Sequence, residues 1–222
     1  MASDTKPCCD LFISYAHVDD APVFGAKWVS TLVQDLRYLL AQKIGRNDAF
    51  SIWWDETNLR GNHDVTPEIR TTLQKSATMV MVLSPGHLAS KWCMQEKNLF
   101  FEVLEGKPQG RVFVVEKHVL DEDQSQPAEL ADIKGYCFWY RDEHNQARTL
   151  SIREPAPHAT TYIRLVEDLA TDISRQLKAR AAAAPPPAKP KATVFLAEVT
   201  DDLDSRREHV RRYLVTTNFL SH

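Results

Sequence analysis

Five consecutive apolar residues, Met79-Val80-Met81-Val82-Leu83, stop at Ser84-Pro85, and this short run limits the folds open to the chain more than any other segment. A run this short, with no polar alternation, predicts a strand from Thr78 to Leu83 covered on both faces. Similar runs recur: Asp10 to Tyr15 opens with one, Phe50 to Trp54 holds another, and Arg111 to Val115 and Gly135 to Trp139 bring the number to five. Segments of helical period lie between them. Pro22 suits a helix first turn, Phe24, Trp28, Leu32, Leu36, Leu39 and Leu40 recur at helical spacing until Gly45, and Ile69 and Leu73 follow Pro67. A long helix is predicted from about Leu88 to Glu105, and a last one from Thr160 to Arg180 on Ile163, Val166, Leu169, Ile173 and Leu177. Strands alternating with helices call for an α/β fold in which a parallel sheet lies between helical layers.

The composition changes after Arg180. Ala181 to Lys191 is Ala-Ala-Ala-Ala-Pro-Pro-Pro-Ala-Lys-Pro-Lys, which cannot pack a core, and residues 181–192 read as a semi-rigid linker. Residues 1–180 are then one domain, and residues 193–222 the start of a truncated second one, with a strand over Thr193 to Val199 and a charged helix over Leu203 to Leu214. The net charge is −3 and no dense Lys/Arg run occurs, which argues against nucleic acid as a direct partner. No stretch approaches eighteen apolar residues, and Met1 to Pro7 lack the apolar core of a signal peptide, so a cytoplasmic location away from membranes is expected. The four cysteines fit neither a metal site nor a disulfide framework.

Chemistry concentrates where the third strand ends. Trp92 and Glu96 are four residues apart on the helix that follows, so the indole and the carboxylate share a face. Elsewhere such a pair would be a core residue beside a solvated one; beyond the carboxyl end of a sheet strand it stands where open α/β sheets bind ligands. Asp19 and Asp20 invite comparison with the acidic pocket of a phosphorylatable receiver. A receiver also needs an aspartate ending its third strand and a lysine ending its fifth, where this chain has Ser84 and Tyr140-Arg141. His17 with Asp19, and His63 with Asp64, lack a third metal ligand and read as solvated loop residues.

Two boxes carry a resemblance to a known family. Asp10-Leu11-Phe12-Ile13-Ser14-Tyr15-Ala16-His17-Val18-Asp19, and the segment from Val82-Leu83-Ser84-Pro85 through Trp92-Cys93-Met94-Gln95-Glu96, resemble the first box and the S-x-W-C-x-x-E segment of Toll/interleukin-1 receptor (TIR) domains, especially the bacterial NAD-cleaving kind. The loop Asp55-Glu56-Thr57-Asn58-Leu59-Arg60-Gly61 is similar in place to the family's assembly loop, although Asn62-His63-Asp64-Val65 after it is atypical. The resemblance implies a flavodoxin-like fold with a five-stranded parallel sheet, Glu96 as catalytic residue, and Leu59, Arg60 and Gly61 as an assembly loop through which TIR domains self-associate. It also implies an NAD+ glycohydrolase or ADP-ribosyl cyclase acting as an effector in bacterial immune signalling. Two other readings stay open: a non-catalytic adaptor that recruits other TIR domains, and a module that senses a nucleotide without cutting it.

One carboxylate suffices for the implied reaction because nicotinamide in NAD is already cationic and departs neutral. The general acid that ordinary glycosidases need is not required. A single anion beside the developing positive charge supplies the electrostatic stabilisation. In this reading Trp92 is an apolar wall, and Ser14, Tyr15, Ala16 and His17, with Asp55, contact the ribose or phosphates. No G-x-G-x-x-G or P-loop is present, so NAD is expected as substrate, with no cofactor and no metal.

Overall fold

The computed structural model describes residues 9–23, 25–45, 50–54, 67–105, 107–120, 124, 126–183 and 203–216. Five strands, β1 (Cys9–Ser14), β2 (Ile52–Trp53), β3 (Ser76–Leu83), β4 (Val112–Glu116) and β5 (Gly135–Cys137), form one parallel sheet in the order β2-β1-β3-β4-β5. The chain leaves β1 toward one edge and returns to pair β3 on its other side, so the order reverses between β1 and β3. In open α/β sheets that reversal leaves a crevice beyond the carboxyl ends of the two strands.

Each strand divides its side chains between two helical layers, because successive residues of a strand point to opposite faces. Leu11, Ile13, Val80 and Val82 enter a core with Leu32, Leu36 and Leu40 of α1 (Trp28–Ile44) and Val166, Leu169 and Ile173 of α5 (His158–Ala183). Phe12, Met79, Met81 and Leu83 enter the opposite core, with Ile69 and Leu73 of α2 (Pro67–Gln74) and Leu99 and Phe100 of α4 (Lys91–Val103). All eight residues of β3 are buried, the condition that its unbroken apolar sequence predicts. Trp53 and Trp54 separate by the same rule: Trp53 stacks on Phe12 at 4.4 Å, while Trp54 packs against the α1 side beneath the Arg37 guanidinium. The alternation has a functional consequence at the end of β1, where Ser14 follows Phe12 onto the face that carries α4.

Several sequence expectations are corrected. The helix expected after Pro22 starts at Trp28, since Val23 and Ala26 form a bridge around Gly25, whose φ of 75° belongs to a tight turn. The continuous helix from Leu88 to Glu105 is two, α3 (Pro85–Ala89) and α4, divided at Ser90 because its side chain takes the Cys93 N–H as a cap (3.3 Å). The fifth strand stops at Cys137; Trp139 instead begins an antiparallel hairpin of β6 (Trp139–Arg141) and β7 (Ala147–Thr149). Helix α5 continues through Ala183, into the segment read as linker, as alanine's high helix propensity allows.

The chain divides into two compact units, Met1–Ala182 and Ala183–His222. In the second, α6 (Asp204–Thr216) is described, whereas the strand expected over Thr193 to Val199 lies outside the described residues. No helix among the described residues is long and apolar enough to cross a membrane.

Candidate functional site

Glu96 is 3% exposed, and both its carboxylate oxygens are held. Ser14 donates its hydroxyl to Oε2 at 2.7 Å, and Trp92 donates its indole N–H to Oε1 at 2.6 Å. The helical spacing of four residues therefore does more than set an apolar wall beside the acid: Trp92 is a hydrogen-bond donor to it. Ser14 reaches Glu96 because strand alternation sends it to the α4 face, and α4 follows β3 after only the short α3. The two motifs, whose Ser14 and Glu96 are 82 residues apart in sequence, thus meet beyond the carboxyl ends of β1 and β3.

Behind this contact lies a buried polar layer that was only partly legible from sequence. Pro85 occupies the first turn of α3, where its missing N–H costs nothing, and Ser84 caps the helix by accepting the His87 N–H at 2.9 Å. The Ser84 hydroxyl in turn donates to Asp19 Oδ2 at 2.5 Å. Lys117, whose backbone N–H bonds Leu83 at the end of β3, donates from Nζ to the Asp19 carbonyl (2.9 Å) and to Oδ1 (3.2 Å). Asp20 is used differently, accepting the Ser30 N–H (2.8 Å) and hydroxyl (2.6 Å) and so anchoring the start of α1. Lys97, next to Glu96, is buried and pairs with Glu129 at 3.0 Å.

Of the other residues singled out from sequence, Tyr15 and Ala16 are buried, Tyr15 within the core on the α1 side, and half-buried His17 stacks on Tyr15 at 5.8 Å. Asp55, Leu59, Arg60, Gly61, His63 and Asp64 lie outside the described residues. Among the described residues no cluster of three or more His, Cys, Asp or Glu side chains suits a metal ion. Sequence reasoning missed His87 and Lys117. The signal for Lys117 was available, in the charged pair Glu116-Lys117 directly ending an apolar strand; His87 gave none beyond its place three residues after a helix cap.

Burial sets the ionisation of this layer. It lowers the His87 pKa to about 4, with Lys97 adding to the effect and Asp19 opposing it. Burial, then the Glu96 charge, pushes the Cys93 thiol up to about 12, which leaves it unreactive. The histidine carries a testable consequence. An unfolded chain protonates its imidazole near 6.5, so between there and about 4 the unfolded state binds the extra proton. Stability contributed by the neutral ring is present above about pH 6.5 and lost as pH falls to about 4, by roughly 3 kcal/mol. Urea midpoints across this window should fall more steeply for the wild type than for His87→Gln, the shared carboxylates cancelling in the comparison. Parallel curves would contradict the buried neutral imidazole.

A family model described as TIR domain matches residues 11–151, more than half of the chain. No curated protein matches. Among solved structures, the chain is similar to one described as "Structure of the activated Roq1 resistosome directly recognizing the pathogen effector XopQ (TIR domains)", at 18% identity and a TM-score of 0.37, with 79% of this chain and 83% of that one covered.

Proposed function

Since this chain belongs to the TIR domain family, we propose that its β1/β3 crevice cleaves NAD at the nicotinamide–ribose bond, with Glu96 as the catalytic carboxylate. The observation that carries this reading is a buried carboxylate held at both oxygens by Ser14 and Trp92, beyond the carboxyl ends of the two strands that flank the switch point. Heterolysis of the C1′–N bond sends its electron pair to nicotinamide, which leaves neutral. The ribose then carries the positive charge, which Glu96 stabilises in surroundings poor in water. Water adding at C1′ and losing a proton gives ADP-ribose; attack by an adenine nitrogen gives a cyclic isomer. Ser14, Ala16, His17 and Trp92 surround the ribose and phosphates in this reading, with Tyr15 and Asp55 completing the contacts.

The bacterial immune role is proposed on the resemblance of the two boxes, and a cytoplasmic setting is proposed with it. Residues 193–222 are proposed to begin a second domain that couples a trigger to the TIR unit. Purified protein incubated with NAD at high concentration should release nicotinamide; a folded protein that releases none under crowded or concentrated conditions would end the enzymatic reading. The non-catalytic adaptor keeps one supporting observation, that internal donors already occupy both Glu96 oxygens. An enzyme must exchange part of that bonding for substrate, and assembly through the loop containing Leu59, Arg60 and Gly61 would supply the rearrangement. Specific activity is therefore expected to rise steeply with protein concentration and to fall on Gly61 replacement. A flat concentration series with an unaffected loop variant would mean a self-sufficient monomer.

A further inference from the structure

We propose that His87 is a positioning residue: by donating from Nε2 to the Ser14 hydroxyl, it commits the hydroxyl proton to Glu96 and fixes the charge and aim of that carboxylate. The proposal rests on the reading of Glu96 as the catalytic group, and it gives a role to a residue to which the sequence motifs assign none. Ser14 Oγ stands 2.7 Å from Glu96 Oε2 and 3.3 Å from His87 Nε2, and a hydroxyl has one proton to give. Two arrangements satisfy these contacts. In the first, Ser14 donates to a charged Glu96 and accepts from an Nε2–H. In the second, a protonated Glu96 donates to Ser14, Ser14 donates to a bare Nε2, and the histidine proton sits on Nδ1.

Three observations favour the first arrangement. The Ser14–Glu96 distance has the length of a charge-assisted O–H···O⁻ bond. The other carboxylate oxygen takes the Trp92 N–H at 2.6 Å, as an anion prefers. His87 is fully buried and its Nδ1 has no hydrogen-bond partner, so a proton placed there would be an orphaned donor. The charged groups acting on the ring are Asp19 from the turn after β1 and Lys97 from α4, with opposite effects, and burial keeps the imidazole neutral. A neutral ring with one committed proton orients the hydroxyl without placing a second positive charge near Glu96.

The test combines a spectrum with kinetics on the full chain. In protein labelled with ¹⁵N-histidine, the His87 ring, assigned by its disappearance in His87→Gln, should show a protonated Nε2 and a bare Nδ1 between about pH 5 and 8. Protonation at Nδ1 would overturn the proposal. His87→Phe should lower kcat for nicotinamide release by about tenfold to a hundredfold with little change in KM, the size expected when a reacting group is mis-set. His87→Gln, whose amide nitrogen can reach the place of Nε2, should retain activity within about threefold, because the donor is restored. In a Ser14→Ala background His87→Phe should have no further effect, since its route to Glu96 is already gone. Additive losses, or a glutamine variant as poor as phenylalanine, would reduce His87 to a packing role. If the wild type itself releases no nicotinamide, the enzymatic reading fails, and the tautomer alone decides whether His87 directs the Ser14 proton.

Discussion

Glu96→Gln is expected to reduce nicotinamide release from NAD by on the order of a hundredfold or more, the loss typical of removing a principal electrostatic stabiliser. The amide is nearly isosteric with the carboxylate. Its oxygen can still accept the Trp92 N–H that now reaches Oε1 at 2.6 Å, and its NH₂ can donate to a lone pair of the Ser14 hydroxyl. Packing on α4 is preserved, and what disappears is the negative charge. Alanine would be a poorer probe, because it leaves an indole N–H and a hydroxyl without their acceptor in a buried place, at a cost of about 1–3 kcal/mol each. The measurement is nicotinamide release by Glu96→Gln protein with an unchanged near-ultraviolet circular dichroism spectrum. Wild-type turnover by such a protein would remove Glu96 from the chemistry.

The largest effect on stability is expected from Lys117→Met, which should cost about 3–5 kcal/mol because it strands a buried anion. The side chains of Lys117 and Asp19 are 9% and 4% exposed, and Nζ supplies two of the hydrogen bonds that hold Asp19. Asp19 in turn holds the Ser84 hydroxyl that caps α3, so the loss would spread to the helix carrying His87. His118 offers partial relief. Its Nε2 lies 3.9 Å from Asp19 Oδ1, and its pKa is lowered chiefly by burial and next by the Lys117 charge. Without that lysine the imidazole takes a proton more readily, so the destabilisation should be smaller at about pH 6 than at about pH 8. Denaturant titrations of Lys117→Met, Asp19→Asn and the double variant would measure the coupling, and the double variant should recover much of the loss. Additive effects would mean that the lysine and the aspartate act separately.

How far the site could be read in advance depended on the range of the interactions that build it. Trp92 and Glu96 were legible because a helix brings residues four apart together whatever surrounds it. Ser14 was placed near them through the resemblance, yet its bond to Glu96 required β1 and β3 to be neighbours and β1 to be in a register that turns Phe12 and Ser14 toward α4. Lys117 was passed over because a lysine was sought after the fifth strand, whereas the sheet order puts the end of β4 beside β3 and within reach of Asp19, 98 residues away. The break at Ser90 was missed for the opposite reason, since a local cap prevailed over an apolar periodicity that runs through it.

Sequence by itself determined the α/β class, the buried strands and the helix face shared by Trp92 and Glu96, since each depends on the period with which neighbouring residues present apolar surface. Only the tertiary structure decided that Ser14 would be shared between Glu96 and His87, that Asp19 would be held by Lys117, and that the chain after Cys137 would turn into a hairpin. A polar side chain taken out of water must find a partner wherever the fold supplies one. Which partner it finds is set by strand order and register, and those are settled by the packing of the whole sheet between its two helical layers.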